Sequence, residues 1–352
     1  MSSSVAPQNK NRIILGCMTF GPTAEHGARI TDIPSTTALF KKFISAGYSE
    51  IDTARVYIGG AQEAFTYQAG YQDLNLKIAT KCYPMGTYTH TAASLRGSLE
   101  TSLAELQTPC VDIFYLHAAD RRVPFEETLQ CCDEMYREGK FRQLGVSNYT
   151  AYELAEVVTL CRERGWVRPT VYQGMYNFIT RGIERELVPA CRRYGLDIVV
   201  YNPVAGGLLS SKFEGIAAAH EKSAAPVEGR YSDSGPTGGI YRGRYFRDPV
   251  LDAIKGVKEA ADAHGITLLE TALRWLVHHS ALKMGDSGND GILIGVSSMQ
   301  QLEENIKELE KGPLPEEVLQ ALEKAWENAR GSATDYWHGT LEYQYEWSKE
   351  KL

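Results

Sequence analysis

The sequence predicts an α/β protein folded as a closed (β/α)8 TIM barrel. Apolar runs of strand length alternate with longer segments of helical periodicity, which is the pattern of repeated βαβ units. Eight such strands follow one another along the 352 residues, and one barrel of this kind commonly takes about 250 residues before insertions. No GxGxxG motif follows the first strand, which weakens the alternative of a doubly wound open sheet.

The predicted strands are short apolar runs, and the segments between them carry apolar residues at helical spacing. In chain order, strands are predicted at residues 13–17, 49–52, 76–81, 111–117, 143–147, 171–173, 198–201 and 292–296. Helices are predicted at residues 35–46, 92–106, 150–164, 181–194, 252–264, 268–279, 299–309 and 315–330. We expect residues 1–352 to form a single barrel domain, with a short disordered lead over residues 1–10.

One connection, residues 202–246, is far longer than the others. It carries eight glycines together with Tyr231, Tyr241, Tyr245 and Phe246. Long connections in compact domains are usually functional lids or disordered segments, and disordered segments contain few aromatic residues. We therefore predict a lid loop after the seventh strand. The tail at residues 331–352 is also rich in aromatic residues, so we expect it to pack against the barrel.

The composition is that of an ordinary globular protein, with 43% hydrophobic and 23% charged residues. A net charge of −7 argues against nucleic acid as a partner, and no apolar run reaches the length of a membrane span or of a signal-peptide core. The seven cysteines show neither C-x-x-C pairs nor the spacing of metal ligands. We expect reduced thiols, no metal site, no membrane partner and a cytoplasmic location.

Four ionisable residues lie at or just after the ends of the first predicted strands. Asp52 ends the second strand and Tyr57 follows five residues later, while Lys81 and His117 end the third and fourth strands. In a (β/α)8 barrel the carboxyl ends of the strands meet at one rim, where the active site lies. The four side chains are therefore predicted to form one site.

These residue types suit the delivery of a proton to a carbonyl oxygen. A tyrosine with its ordinary pKa of about 10 is a poor acid at neutral pH unless its anion is stabilised. Lys81 would lower the pKa of Tyr57, Asp52 would hold Lys81, and His117 would orient the substrate oxygen. Each residue alone also has a structural interpretation, such as a helix cap for Asp52 or a solvated strand end for Lys81.

A second polar group follows the later strands. Ser147, Asn148, Gln173 and Tyr201 offer two amides, a hydroxyl and an aromatic face, which suit a carboxamide on a pyridine ring. The eighth strand leads into a turn whose backbone N–H groups and side chains suit a phosphate or an adenosine. Its polar residues are Ser297, Ser298, Gln301, Glu304 and Asn305. An ordinary capped helix is the alternative interpretation of this turn.

The chain resembles the aldo-keto reductases from the segment LGCMTFG at residues 15–21 to about Asn305. It is most similar to the branch of aflatoxin-aldehyde and succinic-semialdehyde reductases, through YNPVAGGLL at residues 201–209 and YRGRYF at residues 241–246. The resemblance implies hydride transfer from NADPH (giving NADP+) to an aldehyde or ketone, with Tyr57 as proton donor. It also allows a homodimer.

The resemblance further implies the residues that bind each ligand. Tyr57, His117, Tyr241 and Arg244 match substrate positions, and the substrate is a small-molecule carbonyl compound. The cofactor positions are Asp52, Ser147, Asn148, Gln173, Tyr201, Asn202, Pro203, Gly206, Gly207, Leu208, Leu209, Ser210, Lys212, Arg230, Ser297, Ser298, Gln301, Glu304 and Asn305.

Two departures from the family pattern bear on specificity. Many members carry a basic residue where Gln301 stands, but Arg230 matches an arginine that meets the cofactor in the resembling branch, so NADPH is predicted over NADH. The tail from residue 334 matches poorly with the arm that closes the branch's substrate pocket. Two alternatives stay open: a non-catalytic nucleotide-sensing subunit, and a dehydrogenase working in the oxidative direction in secondary metabolism.

Overall fold

The computed structural model describes residues 10–220, 229–232 and 237–346, and its eight parallel strands form a closed barrel. The strands are β1 (Arg12–Gly16), β2 (Glu50–Asp52), β3 (Lys77–Cys82), β4 (Val111–Leu116), β5 (Phe141–Ser147), β6 (Val171–Met175), β7 (Asp197–Tyr201) and β8 (Gly291–Gly295). Each strand pairs with the next in the chain, and β8 pairs with β1. The predicted (β/α)8 barrel is confirmed.

Helices connect the strands. Those in the described parts of the chain are α1 (Ile33–Ser45), α2 (Gln62–Gln68), α3 (Ala92–Glu105), α4 (Phe125–Arg137), α5 (Ala151–Arg164), α6 (Leu187–Tyr194), α7 (Phe213–His220), α8 (Gly238–Tyr245), α9 (Asp248–Asp262), α10 (Leu268–His278), α11 (Met299–Leu309) and α12 (Glu316–Ala329). The helix predicted at 181–194 begins only at Leu187, because residues Gly182–Glu184 form a separate 3-10 turn. None of the helices in the described residues has the length and apolar character needed to cross a bilayer.

The barrel interior is filled by side chains. Ile14, Ile113, Tyr115, Val171 and Val199 are among its buried members, each pointing inward from its strand. Such a barrel is a packed core with no channel through it, so a ligand can be bound only at its ends. At the amino end of the barrel Arg12 and Glu50 form an ion pair of 2.7 Å, and the four predicted catalytic residues lie at the opposite end.

The predicted lid loop at 202–246 is not a plain loop. Helices α7 and α8 lie within it, and three of its aromatic rings are packed together: Tyr231 stacks on Phe246 at 5.4 Å and lies edge-on to Tyr241 at 5.8 Å. Residues 221–228 and 233–236 of the predicted lid, and most of the predicted disordered lead, lie outside the described residues. Helix α8 was not predicted from the sequence, because the glycines at 238, 239 and 243 give this segment a low helix propensity.

The tail packs against the barrel as far as it is described. Tyr336 is 6% exposed, and its hydroxyl accepts a hydrogen bond from the backbone N–H of Ala151 and donates one to Glu186. Further along, the ring of Tyr343 lies edge-on to Phe125. The tail therefore crosses the first residues of α5 and then of α4, at the carboxyl rim of the barrel. Residues 347–352 lie outside the described residues.

Candidate active site

The buried ammonium of Lys81 connects the predicted catalytic residues. Its Nζ atom donates to the carboxylate of Asp52, to the carbonyl of Thr53 at 2.7 Å and to the hydroxyl of Tyr57 at 3.4 Å. Lys81 and Asp52 are 0% and 2% exposed. The three donated bonds use all three protons of the ammonium. The rim of β2 and β3 therefore holds the lysine in one orientation, with one proton directed at the phenol.

The pKa values of this pair follow from burial and charge. Burial alone lowers the pKa of Lys81, but the adjacent Asp52 and Tyr57 more than offset it and the pKa is raised, so Lys81 stays charged. Burial raises the pKa of Tyr57, while Lys81 lowers it and Asp52 raises it, for a net upward shift. Lys81 therefore acts on this pKa in the expected downward direction, whereas burial and the charge of Asp52 act against it.

His117 follows β4 and stands beside the phenol. Its ring lies edge-on to those of Tyr57 and Tyr83, with centroids 6.1 and 5.1 Å away. Burial and then the charge of Lys81 hold the pKa of His117 well below its ordinary value, so the imidazole is neutral. Its Nδ1 atom is buried and has no hydrogen-bond partner among the described residues. The other ring nitrogen is left to contact a ligand.

The predicted carboxamide group forms a hydrogen-bonded set around the same rim. Asn148 donates to the carbonyl of His117 at 2.8 Å and to the hydroxyl of Ser147 at 2.9 Å, and it accepts from the hydroxyl of Tyr201 at 2.8 Å. Gln173 donates to Asp52 at 2.9 Å. The amide of Asn148 is thus occupied within the protein, and the side chains of Ser147 and Gln173 retain acceptor capacity for a ligand.

The residues that directly follow β7 are held in place by tyrosines from further along the same long connection. Asn202 and Ala205 have φ values of 65° and 48°, and Gly206 has 66°. A Cβ atom at Gly206 would lie 2.3 Å from the ring of Tyr241, so glycine is required there. Tyr231 donates to the carbonyl of Ala205 at 2.7 Å. The loop is therefore fixed from above, while Ser210 donates back to Gly207 at 2.6 Å.

Two arginines lie beside the aromatic residues that cover this loop. The guanidinium groups of Arg230 and Arg244 each stand 5.7 Å from the ring centre of Tyr241. Arg230 is near enough to Tyr57 to lower the pKa of the phenol. Lys212 is exposed, close in sequence to the loop at Gly207. The mouth of the site therefore carries positive charge.

The predicted adenosine end is ordered by its own hydrogen bonds. Gln301 accepts from the backbone N–H and the hydroxyl of Ser297 at 2.8 and 3.0 Å, and its own N–H donates to the capping hydroxyl of Ser298 at 3.2 Å. Asn305 is 6% exposed, and its amide makes no side-chain hydrogen bond within the described chain. Glu304 is exposed and accepts from Gln300. The amide of Asn305 is the group here with unused hydrogen-bonding capacity.

Sequence reasoning missed three residues of this site. His338, from the tail, lies with its imidazole 3.1 Å from Arg244 and 3.3 Å from the hydroxyl of Tyr83. Arg121 donates to the carbonyl of His338 at 2.7 Å. The position of Tyr83 could have been inferred from the sequence. It stands two residues after Lys81, and side chains two residues apart in an extended segment point to the same face. The positions of His338 and Arg121 could not, since an irregular tail has no periodicity.

Known proteins resemble this chain over most of its length. The model described as the Aldo/keto reductase family matches residues 12–327. Aldo-keto reductase family 7 member A3 of Homo sapiens is 41% identical over 321 residues, covering 89% of this chain and 93% of the relative. Aflatoxin B1 aldehyde reductase member 2 of Rattus norvegicus is 40% identical over 334 residues, covering 93% and 89%. Aldo-keto reductase pigE of Monascus ruber is 36% identical over 345 residues, covering 95% and 99%.

Proposed function

Because the chain belongs to the aldo/keto reductase family and is an oxidoreductase of carbonyl groups, we propose that it reduces aldehydes or ketones to alcohols with NADPH, using Tyr57 as the proton donor. One observation carries the proposal: the ammonium of Lys81 bridges the buried Asp52 and the phenol of Tyr57. A cation fixed against a phenol at the barrel rim has no evident packing role. It favours the phenolate that remains after the proton has left.

The described residues fit the proposed cofactor. NADPH supplies a hydride when it is bound. Ser147 and Gln173 keep acceptor capacity for a carboxamide, Tyr201 offers a ring face, and the segment from Asn202 to Lys212 would cover the pyrophosphate. The amide of Asn305, which makes no side-chain hydrogen bond within the described residues, suits an adenine ring.

Charge favours the phosphorylated dinucleotide over NADH. Gln301 is engaged with Ser297 and brings no charge. Arg230 stands over the mouth, stacked on Tyr241, and a guanidinium can bind a phosphate through two parallel hydrogen bonds. We therefore assign the additional phosphate of NADPH to Arg230.

Each catalytic residue has one task in the proposed reaction. The proton of the Tyr57 hydroxyl passes to the substrate oxygen as that oxygen gains negative charge, and the phenolate left behind is stabilised by Lys81. Neutral His117 donates a hydrogen bond to the same oxygen from the ring nitrogen that faces the ligand, which orients the carbonyl. Asp52 keeps Lys81 charged in a buried position, so its effect on Tyr57 is indirect.

The substrate is proposed to be an aldehyde or ketone with an apolar or aromatic body. Tyr83 and Tyr241 line the mouth with aromatic faces, and Arg244 adds one cation to it. The names of the relatives above include aldehyde reductases, which makes aldehydes the first compounds to test. The free cysteines fit a reducing compartment such as the cytoplasm.

The proposal is tested by NADPH oxidation with 4-nitrobenzaldehyde, comparing the unaltered chain with Tyr57→Phe. Removal of the donor should lower turnover by at least about a hundredfold, as expected for general acid catalysis. Phenylalanine keeps the ring that packs beside His117, so NADPH affinity should stay within about twofold, measured by fluorescence titration. Tyr71→Phe is a matched control, because its hydroxyl donates to the carbonyl of Leu106 just after the end of α3, away from the proposed site. Equal turnover of Tyr57→Phe and the unaltered chain would refute the assignment.

A further inference from the structure

The C-terminal segment, residues 336–344, reaches the substrate pocket although it lies more than two hundred residues from the catalytic group in sequence. The backbone N–H of His338 donates to the carbonyl of Asn148 at 3.3 Å. Its imidazole lies among Arg244, Tyr201 and Tyr83, at 3.1, 3.4 and 3.3 Å. Tyr83 in turn lies edge-on to His117. The segment therefore forms a wall of the pocket proposed above.

A buried ion pair holds this segment in place. Arg121 is bound through two parallel hydrogen bonds to Glu153, at 2.7 and 3.0 Å, and these side chains are 6% and 0% exposed. The remaining guanidinium nitrogen of Arg121 donates to the carbonyl of His338 at 2.7 Å, and the carbonyl of Arg121 accepts from the N–H of Gln344 at 2.8 Å. Tyr343 donates to Glu153 at 2.7 Å. One arginine thus contacts the segment on both sides of Gly339.

The hydrogen-bond directions at His338 follow from the chemistry of its neighbours. A guanidinium only donates, so Nε2 of His338 accepts from Arg244. Burial and then the charge of Arg244 lower the pKa of His338 to about 4, so the ring is neutral and its single proton lies on Nδ1. That proton is donated to the oxygen of Tyr83. The hydroxyl of Tyr201 is directed elsewhere, to Asn148 at 2.8 Å.

With these hydrogen-bond directions, the hydroxyl proton of Tyr83 has no acceptor among the described residues. The oxygen of Tyr83 accepts from His338, and its own O–H can only donate. A carbonyl oxygen has two lone pairs, and in the proposed reaction Tyr57 and His117 supply a donor to each. The proton of Tyr83 is therefore available to a second oxygen of the substrate.

We infer that Tyr83 and His338 are specificity-determining residues for a carbonyl substrate that carries a second oxygen acceptor, such as a keto, ether or hydroxyl group, and that Arg121 is the residue that positions His338. The inference rests on the proposed function. Tyr83 donates to the second oxygen, His338 fixes the direction of that hydroxyl, and Arg121 holds His338 through its backbone.

The test compares matched substrate pairs. Methoxybenzaldehydes and ethylbenzaldehydes, substituted at the ortho, meta or para position, differ in having an ether oxygen or a methylene at the same place. The unaltered enzyme should favour the methoxy compound at one of the three positions by about tenfold in kcat/KM, as expected for one neutral hydrogen bond. Tyr83→Phe should abolish this preference by raising KM for the methoxy compound about tenfold more than KM for the ethyl compound.

The other variants test whether His338 and Arg121 affect the preference for the methoxy compound through the hydroxyl of Tyr83. His338→Ala should remove the preference as Tyr83→Phe does, and the double variant should lose no more than either single one, because both act through the same hydroxyl. Arg121→Met should match His338→Ala, while Arg121→Lys, which can still donate to the carbonyl of His338, should recover part of the preference. Arg12→Met breaks the ion pair with Glu50 at the opposite end of the barrel and controls for lost stability. Arg12→Met should keep the full preference.

The outcomes separate the two proposals. A methoxy preference that survives in Tyr83→Phe, or additive losses in the double variant, would overturn this inference while leaving the reductase intact. Equal kcat/KM for methoxy and ethyl compounds at all three positions in the unaltered enzyme would overturn it as well. If the unaltered enzyme oxidises NADPH with none of the aldehydes, the proposed function itself fails.

Discussion

Replacing Lys81 by methionine tests the electrostatic part of the mechanism. The Nζ atom stands 3.4 Å from the hydroxyl of Tyr57. At an effective dielectric constant of about 20, a unit charge at that distance stabilises the phenolate by about 5 kcal/mol, equivalent to about three to four pKa units. Methionine has a similar length and no charge. We expect Lys81→Met to raise the pKa of Tyr57 by this amount and to lower turnover by about 10² to 10⁴-fold.

The substitution also affects stability, and a second variant separates the two effects. Lys81→Met leaves the carboxylate of Asp52 buried with Gln173 as its remaining side-chain donor, which should lower the free energy of unfolding by about 3–5 kcal/mol. Lys81→Met/Asp52→Asn removes the unpaired charge as well. The double variant should recover most of the urea midpoint of unfolding and none of the turnover.

The assay is the rate of NADPH oxidation at saturating aldehyde between pH 6 and pH 10, with urea unfolding of the same preparations. Loss of the cation should move any alkaline decline in rate to higher pH, because the phenol then keeps its proton longer. If turnover of both variants stays within threefold of the unaltered enzyme while they bind NADPH normally, Lys81 has no part in proton transfer.

Three further predictions follow. Arg230→Ala should weaken NADPH at least tenfold more than NADH in fluorescence titrations, and equal weakening would remove Arg230 from phosphate recognition. Burial holds the pKa of His90 and His338 at about 4, and that of His117 well below 6.5, so the unfolded chain takes up protons first as pH falls below 6.5. The free energy of unfolding should then fall by about 1.4 kcal/mol per pH unit for each histidine, and His90→Gln should reduce this slope in urea titrations from pH 7 to pH 5. Cys110 is the partly exposed cysteine and the other six are buried, so a thiol reagent should modify about one cysteine in the native protein and none in Cys110→Ser.

The positions of the proposed catalytic residues could be predicted because they depend on local patterns. Asp52, Lys81 and His117 end apolar runs of strand length, and in a parallel barrel all strand ends meet at one rim. The sign of the shift in the Tyr57 pKa could not be predicted in the same way. It depends on how deeply the phenol is buried and on the distances to both charges, and neither appears in the order of residues.

The lid and the tail show where local patterns fail. Helix α8 forms in a glycine-rich segment because Tyr245, which is 1% exposed, packs against the barrel and accepts from Asn202 at 2.8 Å. His338 lies in a segment without helical or strand periodicity, and its partners are 94 to 255 residues away along the chain. Contacts of that separation are set by the completed fold.

The ion pair of Arg121 and Glu153 also sets the order in which the enzyme can mature. The proposed catalytic residues all lie before residue 118, whereas the wall that faces them contains His338, which is synthesised more than two hundred residues later. A chain still attached to the ribosome can form most of the barrel, but its pocket lacks one side until the C-terminal segment emerges. Docking of this segment onto Arg121 and Glu153 is then the final step of assembly. Until that step, a nascent chain would hold its acid and its lysine in place without the wall that selects a substrate.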